Sequence, residues 1–369
     1  MIYLDSGATS LWKPPEVKKA VVRALETCGN PGRGGHPAAM AAAQTVYACR
    51  EAAGKLFSCR PEQVVMTGNC TQGLNIAIRT LAAPGDRVVI SGFEHNAVTR
   101  PLHALGADIV VAGRKLFDWE DTLEAFDAAL TPDTRAAVFT QVSNVFGYIL
   151  PVQELSRLCR ERQIPFILDA AQSAGMMEVN FEALQPDFLA MPGHKGLLGP
   201  QGTGLLLCGR PGKPLIQGGT GSLSREMTMP DFLPDALEAG TLNVPGIAGL
   251  REGLEYVGRM GPEAIGRREH ALVQLAAEGL EARKLQTFRG PHQAGTLSFL
   301  PREDPETFCG KLADLGFALR AGLHCAPLAH ESGGTGETGT VRVSVGPHTK
   351  FEEIQDFLQA VSKLSPGEV

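Results

Sequence analysis

The chain has 369 residues, 43% hydrophobic and 20% charged, with a formal net charge of −6. That balance belongs to an ordinary folded protein, and an acidic excess without any run of Lys and Arg argues against a nucleic-acid partner. No stretch approaches the roughly 18 uninterrupted apolar residues of a membrane span, so no membrane association is expected.

Eight cysteines are scattered singly with no CxxC pair, which favours reduced thiols over a disulfide framework or a zinc knuckle. The opening Met-Ile-Tyr-Leu-Asp lacks the basic and apolar regions of a signal peptide, and a cytoplasmic location is expected. Chains of this length usually divide into two domains.

In chain order, Pro14-Pro15 opens a helical pattern closed by Gly29, and an Ala-rich amphipathic helix is expected over Ala38 to Phe57. Short apolar runs then alternate with helix-like segments: Val64 to Met66, Arg87 to Ile90, Asp108 to Val111, Ala136 to Phe139 and Pro165 to Leu168. Two further strands are expected at Phe188 to Met191 and Thr203 to Leu207. The alternation predicts βαβ units and a mostly parallel sheet covered on both faces. One long helix is expected from Gly246 to Leu285. Beyond it, strands at Gly295 to Leu300, Phe317 to Arg320 and Thr340 to Val345, with helices at Pro305 to Leu315 and Phe351 to Leu364, predict an α+β second domain. The segment Ser332 to Gly339 (SGGTGETG) reads as a flexible loop.

Open parallel sheets bind ligands at the carboxyl ends of their strands, and three polar clusters fall there. Asp169 closes the run Pro165 to Leu168; its plain reading is a helix N-cap, its other reading a carboxylate facing a crevice. Pro192-Gly-His-Lys195 follows Phe188 to Met191, where desolvation of the lysine amine would favour Schiff-base chemistry. Together a strand-end Lys and a strand-end Asp match what pyridoxal phosphate requires, an amine for its aldehyde and an acid for its ring nitrogen. Thr67 to Gly73 joins a strand to a helix whose N–H groups suit a phosphate, with Thr71 also reading as an N-cap. His95 stacks on an aromatic ring in one reading and is an ordinary loop histidine in the other. No G-x-G-x-x-G follows a strand and no G-x-x-x-x-G-K-[ST] loop is present.

In the C-terminal part, Cys325 sits in a Gly- and Pro-punctuated loop beside His324 and near Arg320, positive neighbours of the kind that favour a thiolate. His324, Cys325 and His330 lack an evident fourth ligand, so no metal is expected. Arg342 reads either as a two-pronged carboxylate holder or as a surface salt bridge.

These residues resemble the class V aminotransferases, specifically the cysteine desulfurase and selenocysteine lyase branch. The resemblance rests on Tyr3-Leu-Asp-Ser-Gly-Ala-Thr, Asn30-Pro-Gly-Arg-Gly-Gly-His36, Ser143-Asn-Val-Phe-Gly and Asp169-Ala-Ala-Gln172. Farther on come Gly193-His-Lys195, Glu238-Ala-Gly-Thr241, His324-Cys325-Ala-Pro and Val341-Arg-Val-Ser. It implies an α/β chain of the fold type I pyridoxal-phosphate class. A large domain over residues 14–250 carries a mostly parallel seven-stranded sheet, and residues 1–13 with 251–369 form a smaller α+β domain bearing the catalytic cysteine loop.

The roles implied are Lys195 as the Schiff-base lysine, Asp169 as partner of the pyridine nitrogen, Gln172 as donor to the ring oxygen and His95 as the stacking histidine. Thr71 and His194 are implied as phosphate contacts, with Cys70 supplying backbone. Thr241 reaches the cofactor phosphate of a neighbouring subunit, which implies a homodimer. Asn144 and Arg342, with Arg320, form the substrate side, and Cys325 accepts sulfur from L-cysteine, leaving L-alanine and a persulfide for an unidentified acceptor protein or thiol. The flexible loop would let Cys325 swing towards that acceptor. L-selenocysteine is the rival substrate, and an inactive scaffold of the same fold is the rival from another class. The chain departs from the family pattern at Pro192, where Ser or Thr is common, at Ser6 and His348, and in a longer Ser332 to Gly339 loop.

Overall fold

In the computed structural model, which describes residues 1–32 and 34–364, side-chain alternation along the strands decides the architecture. Arg33, within the Asn30 to His36 motif, lies outside the described residues. The order is β1 (Ile2–Tyr3), α1 (Pro15–Thr27), α2 (Pro37–Phe57), β2 (Val64–Thr67), α3 (Cys70–Leu81), β3 (Arg87–Ser91), α4 (Asn96–Leu105), β4 (Asp108–Ala112) and α5 (Trp119–Ala129). It continues with β5 (Thr134–Thr140), α6 (Val152–Glu161), β6 (Phe166–Asp169), α7 (Phe181–Leu184), β7 (Phe188–Pro192) and β8 (Gly204–Cys208).

These strands form one seven-stranded sheet in the order β2-β8-β7-β6-β5-β3-β4. Val64, Met66, Val89, Ala137, Leu168 and Leu189 project to one face, into a core with α2 and α6. Val65, Val88, Ala136, Ile167, Phe188 and Leu206 project to the other, against α3 and α4. Burial on both faces explains why the strands read as continuous apolar runs. All neighbouring pairs are parallel except those of β8, which is antiparallel to both β2 and β7. Two antiparallel junctions restore direction, so β2 points the same way as β3, β5, β6 and β7, and their carboxyl ends share one edge.

The expected single helix from Gly246 to Leu285 is two helices, α8 (Val244–Met260) and α9 (Pro262–Glu281). Gly261, at φ 79°, ends the first, and Pro262 starts the second at a position where its missing N–H is harmless. Then come β9 (Gln286–Phe288), β10 (Thr296–Leu300), α10 (Pro305–Asp314), β11 (Phe317–Ala318), β12 (Arg320–Gly322), α11 (Pro327–Ser332), β13 (Thr340–Ser344) and α12 (Phe351–Leu364). The strand expected from Phe317 to Arg320 divides between two sheets. β11 pairs in parallel with β1, whereas β12 joins the antiparallel sheet β12-β13-β10-β9. Leu297, Phe299, Val341 and Val343 of that sheet pack on Phe308, Phe357 and Val273, and Leu4 of the N-terminal segment enters the same core. No described helix is long and apolar enough to cross a membrane.

Glu269 of α9 is 1% exposed, and neither carboxyl oxygen has a hydrogen-bond partner among the described residues. Burial alone pushes its pKa well above the ordinary glutamate value. The folded chain therefore holds a proton there that the unfolded chain releases, and stability falls as pH rises from the ordinary carboxyl range through the folded pKa. Glu269→Gln removes this slope. Thermal denaturation is expected to show the variant gaining on the parent between mildly acidic and mildly alkaline buffer; a pH-independent difference would contradict the neutral carboxyl.

Candidate active site

The shared carboxyl edge gathers most of the residues singled out above. Asp169 ends β6, and Lys195 follows β7 by three residues. Cys70 and Thr71 begin α3 after β2, His95 precedes α4 after β3, and Asn144 follows β5. The loop carrying Lys195 is pinned from beneath by the N-terminal segment. His194 O accepts from Ser10 N (3.0 Å) and Lys13 Nζ (2.9 Å), and Ser10 Oγ donates to His194 O (2.9 Å).

Lys195 retains some accessible surface, yet protein encloses its amine closely enough that desolvation lowers its pKa, and the charge of Arg342 lowers it further. Asp169 is 2% exposed and its pKa is raised by burial. Its Oδ1 accepts from Ala171 N (2.8 Å) and from the Cys70 thiol (3.5 Å), while Oδ2 has no partner among the described residues. The N-cap alternative for Asp169 thus gives way to a turn carboxylate with one oxygen free. Burial, with Asp169 adding to it, drives the Cys70 thiol pKa well up, so Cys70 stays a neutral donor to Asp169.

The true N-cap of α3 is Asn69, whose Oδ1 accepts from Gln72 N (2.9 Å); Thr71 lies one residue into the helix instead. Asn fits the extended cap backbone and presents its oxygen two to three residues ahead, which displaces Thr71 from that task. His95 caps α4, with Nδ1 accepting from Ala97 N (3.0 Å). Its pKa is pushed down to about 4, first by burial and then by Lys195, so the ring is neutral with its proton on Nε2. His194 is likewise lowered to about 4 by burial, and its Nδ1 pairs with Thr9 Oγ1 (3.0 Å). Gln172 donates Nε2 to Gly7 O (3.0 Å). Thr241 is exposed just before α8 and makes no side-chain hydrogen bond among the described residues. Its segment is anchored by Glu238, which accepts from Met66 N (2.6 Å) and pairs with Arg50 Nη2 (2.7 Å).

Arg342 is not on the surface: it is 1% exposed. Its Nη2 meets Asp5 Oδ1 (2.5 Å), its Nη1 donates to Asn144 O (3.0 Å), and its Nε has no partner among the described residues. Asn144 in turn donates Nδ2 to His324 O (2.8 Å). Cys325 is exposed, its carbonyl accepts from Asn96 N (2.8 Å), and Arg320 Nη2 lies 3.4 Å from its Sγ. A guanidinium therefore stands against the sulfur. His324 does not accompany the thiol; its ring turns inward to His330 (3.3 Å). Nor is Ser332 to Gly339 an untethered loop. Ser332 closes α11 and donates Oγ to Gly92 O (2.7 Å), and Thr335 is buried.

Sequence reasoning missed Asp5, Ser10, Lys13 and Glu94. Glu94 is fully buried, with Oε1 accepting from Thr140 N (2.8 Å) and its pKa pushed up to about 8 by burial. Asp5 and Ser10 lie in or next to the opening motif, and Glu94 is next to His95. Polar residues beside an assigned motif were the available signal.

The donor set fits pyridoxal phosphate. An enclosed amine of lowered pKa, a sequestered carboxylate with a free oxygen, a neutral imidazole and the N-terminal N–H groups of α3 supply its aldehyde, ring nitrogen, ring face and phosphate requirements.

The aminotransferase class-V family profile matches residues 2–357. A probable cysteine desulfurase of Pyrococcus abyssi is 32% identical over 387 aligned positions, covering 99% of this chain and 94% of the relative. One of Methanothermobacter thermautotrophicus is 32% identical with the same coverage. Among solved structures, a cysteine desulfurase of Thermococcus onnurineus NA1, in its apo form, superposes with a TM-score of 0.90 at 30% identity, over 99% of this chain and 94% of that one.

Removing one partner of a buried ion pair strands the other charge. Asp5→Ala is expected to destabilise the fold by about 3 kcal/mol, and Asp5→Asn by less because an acceptor oxygen remains for Arg342. Denaturant unfolding reads the difference, and equal stability of both variants and the parent would show that Arg342 has no need of Asp5.

Proposed function

The chain belongs to the aminotransferase class-V family, and on that premise we propose that it is a pyridoxal-phosphate-dependent cysteine desulfurase. It converts L-cysteine to L-alanine and leaves the sulfur as a persulfide on Cys325. One observation carries the reading: an exposed thiol, with Arg320 at 3.4 Å from its Sγ, sits on a loop bonded to Asn144 and Asn96, at the sheet edge that also carries the enclosed Lys195 and Asp169. A transaminase has no task for such a thiol.

When bound through its aldehyde to Lys195, pyridoxal phosphate supplies an electron sink for the α-carbon of an amino acid. Asp169 holds the ring nitrogen in its protonated form. Lys195, whose amine burial shifts towards its neutral form, takes the proton from the α-carbon. His95 covers the ring face with a neutral imidazole. Arg342 and Asn144 hold the substrate carboxylate. Cys325 Sγ attacks the substrate sulfur, so the carbon–sulfur bond breaks as a sulfur–sulfur bond forms. In sum, cysteine and the enzyme thiol become alanine and the enzyme persulfide, with no external oxidant or reductant.

The same reading makes the protein a homodimer in which Thr241 reaches the partner's cofactor phosphate. Met227 (99% exposed), Phe232 and Leu223 support it, as large apolar side chains left in water on the segment leading to Thr241. All eight cysteines are free, which suits a reducing, cytoplasmic setting. The persulfide passes to an acceptor thiol or protein, for which the exposure of Cys325 provides access.

Cys325→Ser is expected to keep the yellow cofactor absorbance while alanine release from cysteine falls at least about a hundredfold. Undiminished alanine release would remove Cys325 from the mechanism. Parallel assays with selenocysteine separate the lyase alternative, which predicts turnover that survives the substitution.

A further inference from the structure

Behind Cys325 stand three polar side chains that the proposed reaction leaves without a task. His324, His330 and Thr335 are 2%, 0% and 5% exposed. His324 Nε2 lies 3.2 Å from Arg320 O, His324 Nδ1 lies 3.3 Å from His330 Nε2, and His330 Nδ1 lies 2.7 Å from Thr335 Oγ1. The imidazole planes are within 16° of parallel.

The direction of every bond in this series follows from its last member. A carbonyl only accepts, so the His324 proton is on Nε2. A second proton on His324 would place a cation in a buried site that already feels Arg342 and Arg320. Burial first, then Arg342, push its pKa down to about 2, and burial lowers His330 to about 4. His324 Nδ1 must then accept, His330 Nε2–H donates to it, and His330 Nδ1 accepts from the Thr335 hydroxyl. The result is a one-way chain from the glycine-rich loop to the backbone of Arg320, the residue whose guanidinium lies against the thiol.

The turn that presents the thiol needs such support. His324 and Cys325 both have positive φ, 50° and 56°, in consecutive non-glycine residues. Backbone of that kind persists only where its surroundings hold it. His324 O is bonded to Asn144, Cys325 O to Asn96, and Ala326 N closes the turn on Leu323 O (2.9 Å); the His324 ring is the side-chain handle added to these. The loop end of the chain is itself fixed, since Thr335 N donates to His330 O (2.8 Å) and Gly339 N to Thr335 O (2.9 Å). Gly333 allows this closeness: a Cβ there would lie 2.4 Å from the Phe146 ring.

We propose that His330 is a positioning residue for Cys325, acting through His324 so that the chain from Thr335 to Arg320 O holds the left-handed turn with its Sγ beside the Arg320 guanidinium. The inference rests on Cys325 being the sulfur acceptor, but its test does not. The holoenzyme is compared with His330→Phe, which keeps a ring without nitrogens, and with His330→Gln, which keeps an N–H aimed at His324. The rate of Cys325 alkylation by iodoacetamide is followed by peptide mass spectrometry, alongside kcat and KM for cysteine. His330→Phe is expected to slow alkylation and kcat together by about tenfold, with KM little changed and most of the loss recovered in His330→Gln. Alkylation at the parental rate in His330→Phe, or no recovery in the Gln variant, overturns the proposal. Should His330→Phe fail to fold, Thr335→Val, which replaces the terminal hydroxyl by a methyl, is expected to slow alkylation about threefold while the protein stays folded at the assay temperature; an unaltered rate there also overturns it. Failure of the desulfurase reading would appear in Cys325→Ser turnover, and failure of the positioning role in alkylation.

Discussion

A buried guanidinium ties together the parts of the molecule that have to meet. Arg342 projects from the small antiparallel sheet, takes Asp5 from the N-terminal segment at 2.5 Å, and donates to Asn144 O in the loop after β5 at 3.0 Å. An arginine fork is suited to this because its donors are rigidly arrayed and its charge cannot be neutralised by deprotonation. Leu4, next to Asp5, enters the core under the small antiparallel sheet, while Ser10 and Lys13, a few residues on, hold the carbonyl of His194. The first residues of the chain thus run from the core of the small antiparallel sheet to the loop that follows β7 of the seven-stranded sheet. The lysine and thiol sites are set relative to each other by a segment that carries neither.

The same enclosure that builds the site sets its charge state. Desolvation favours the neutral form of each basic group, and Lys195, His95, His194 and His324 are all shifted that way. It acts in the opposite sense on acids, raising Asp169 and Glu94. The site therefore holds neutral imidazoles at His95, His194 and His324, beside a Lys195 amine biased towards its neutral form. Asp169 is charged most readily when a cation lies opposite its free oxygen, as a protonated ring nitrogen would. This is the environment in which an amine performs imine and proton-transfer chemistry near neutral pH.

The glycine-rich segment behind Cys325 shows how composition and structure part company. Ser-Gly-Gly-Thr-Gly-Glu-Thr-Gly has the residues of a mobile linker. Ser332 nevertheless donates to the buried Gly92 O, Thr335 terminates a hydrogen-bond chain, and Gly333 permits close approach to Phe146. Glycine content reports which backbone conformations are open, and tertiary contacts decide which one is kept.

What the sequence settled by itself was local in origin. Apolar runs of strand length between amphipathic segments specified the central sheet, and the carboxyl-end placement of Asp169, Lys195, Cys70 and His95 followed from their positions at the ends of those runs. Motif order pointed to the family on the same footing. Folding alone decided the long-range choices: that β8 runs antiparallel, that Phe317 and Arg320 belong to different sheets, that Arg342 meets Asp5 from the far end of the chain, and that His324 turns away from its neighbour Cys325. Periodicity records which face of an element is apolar and carries nothing about which distant group will lie against it. A buried polar side chain must find its partner wherever packing places one, and that information exists only once the chain is folded.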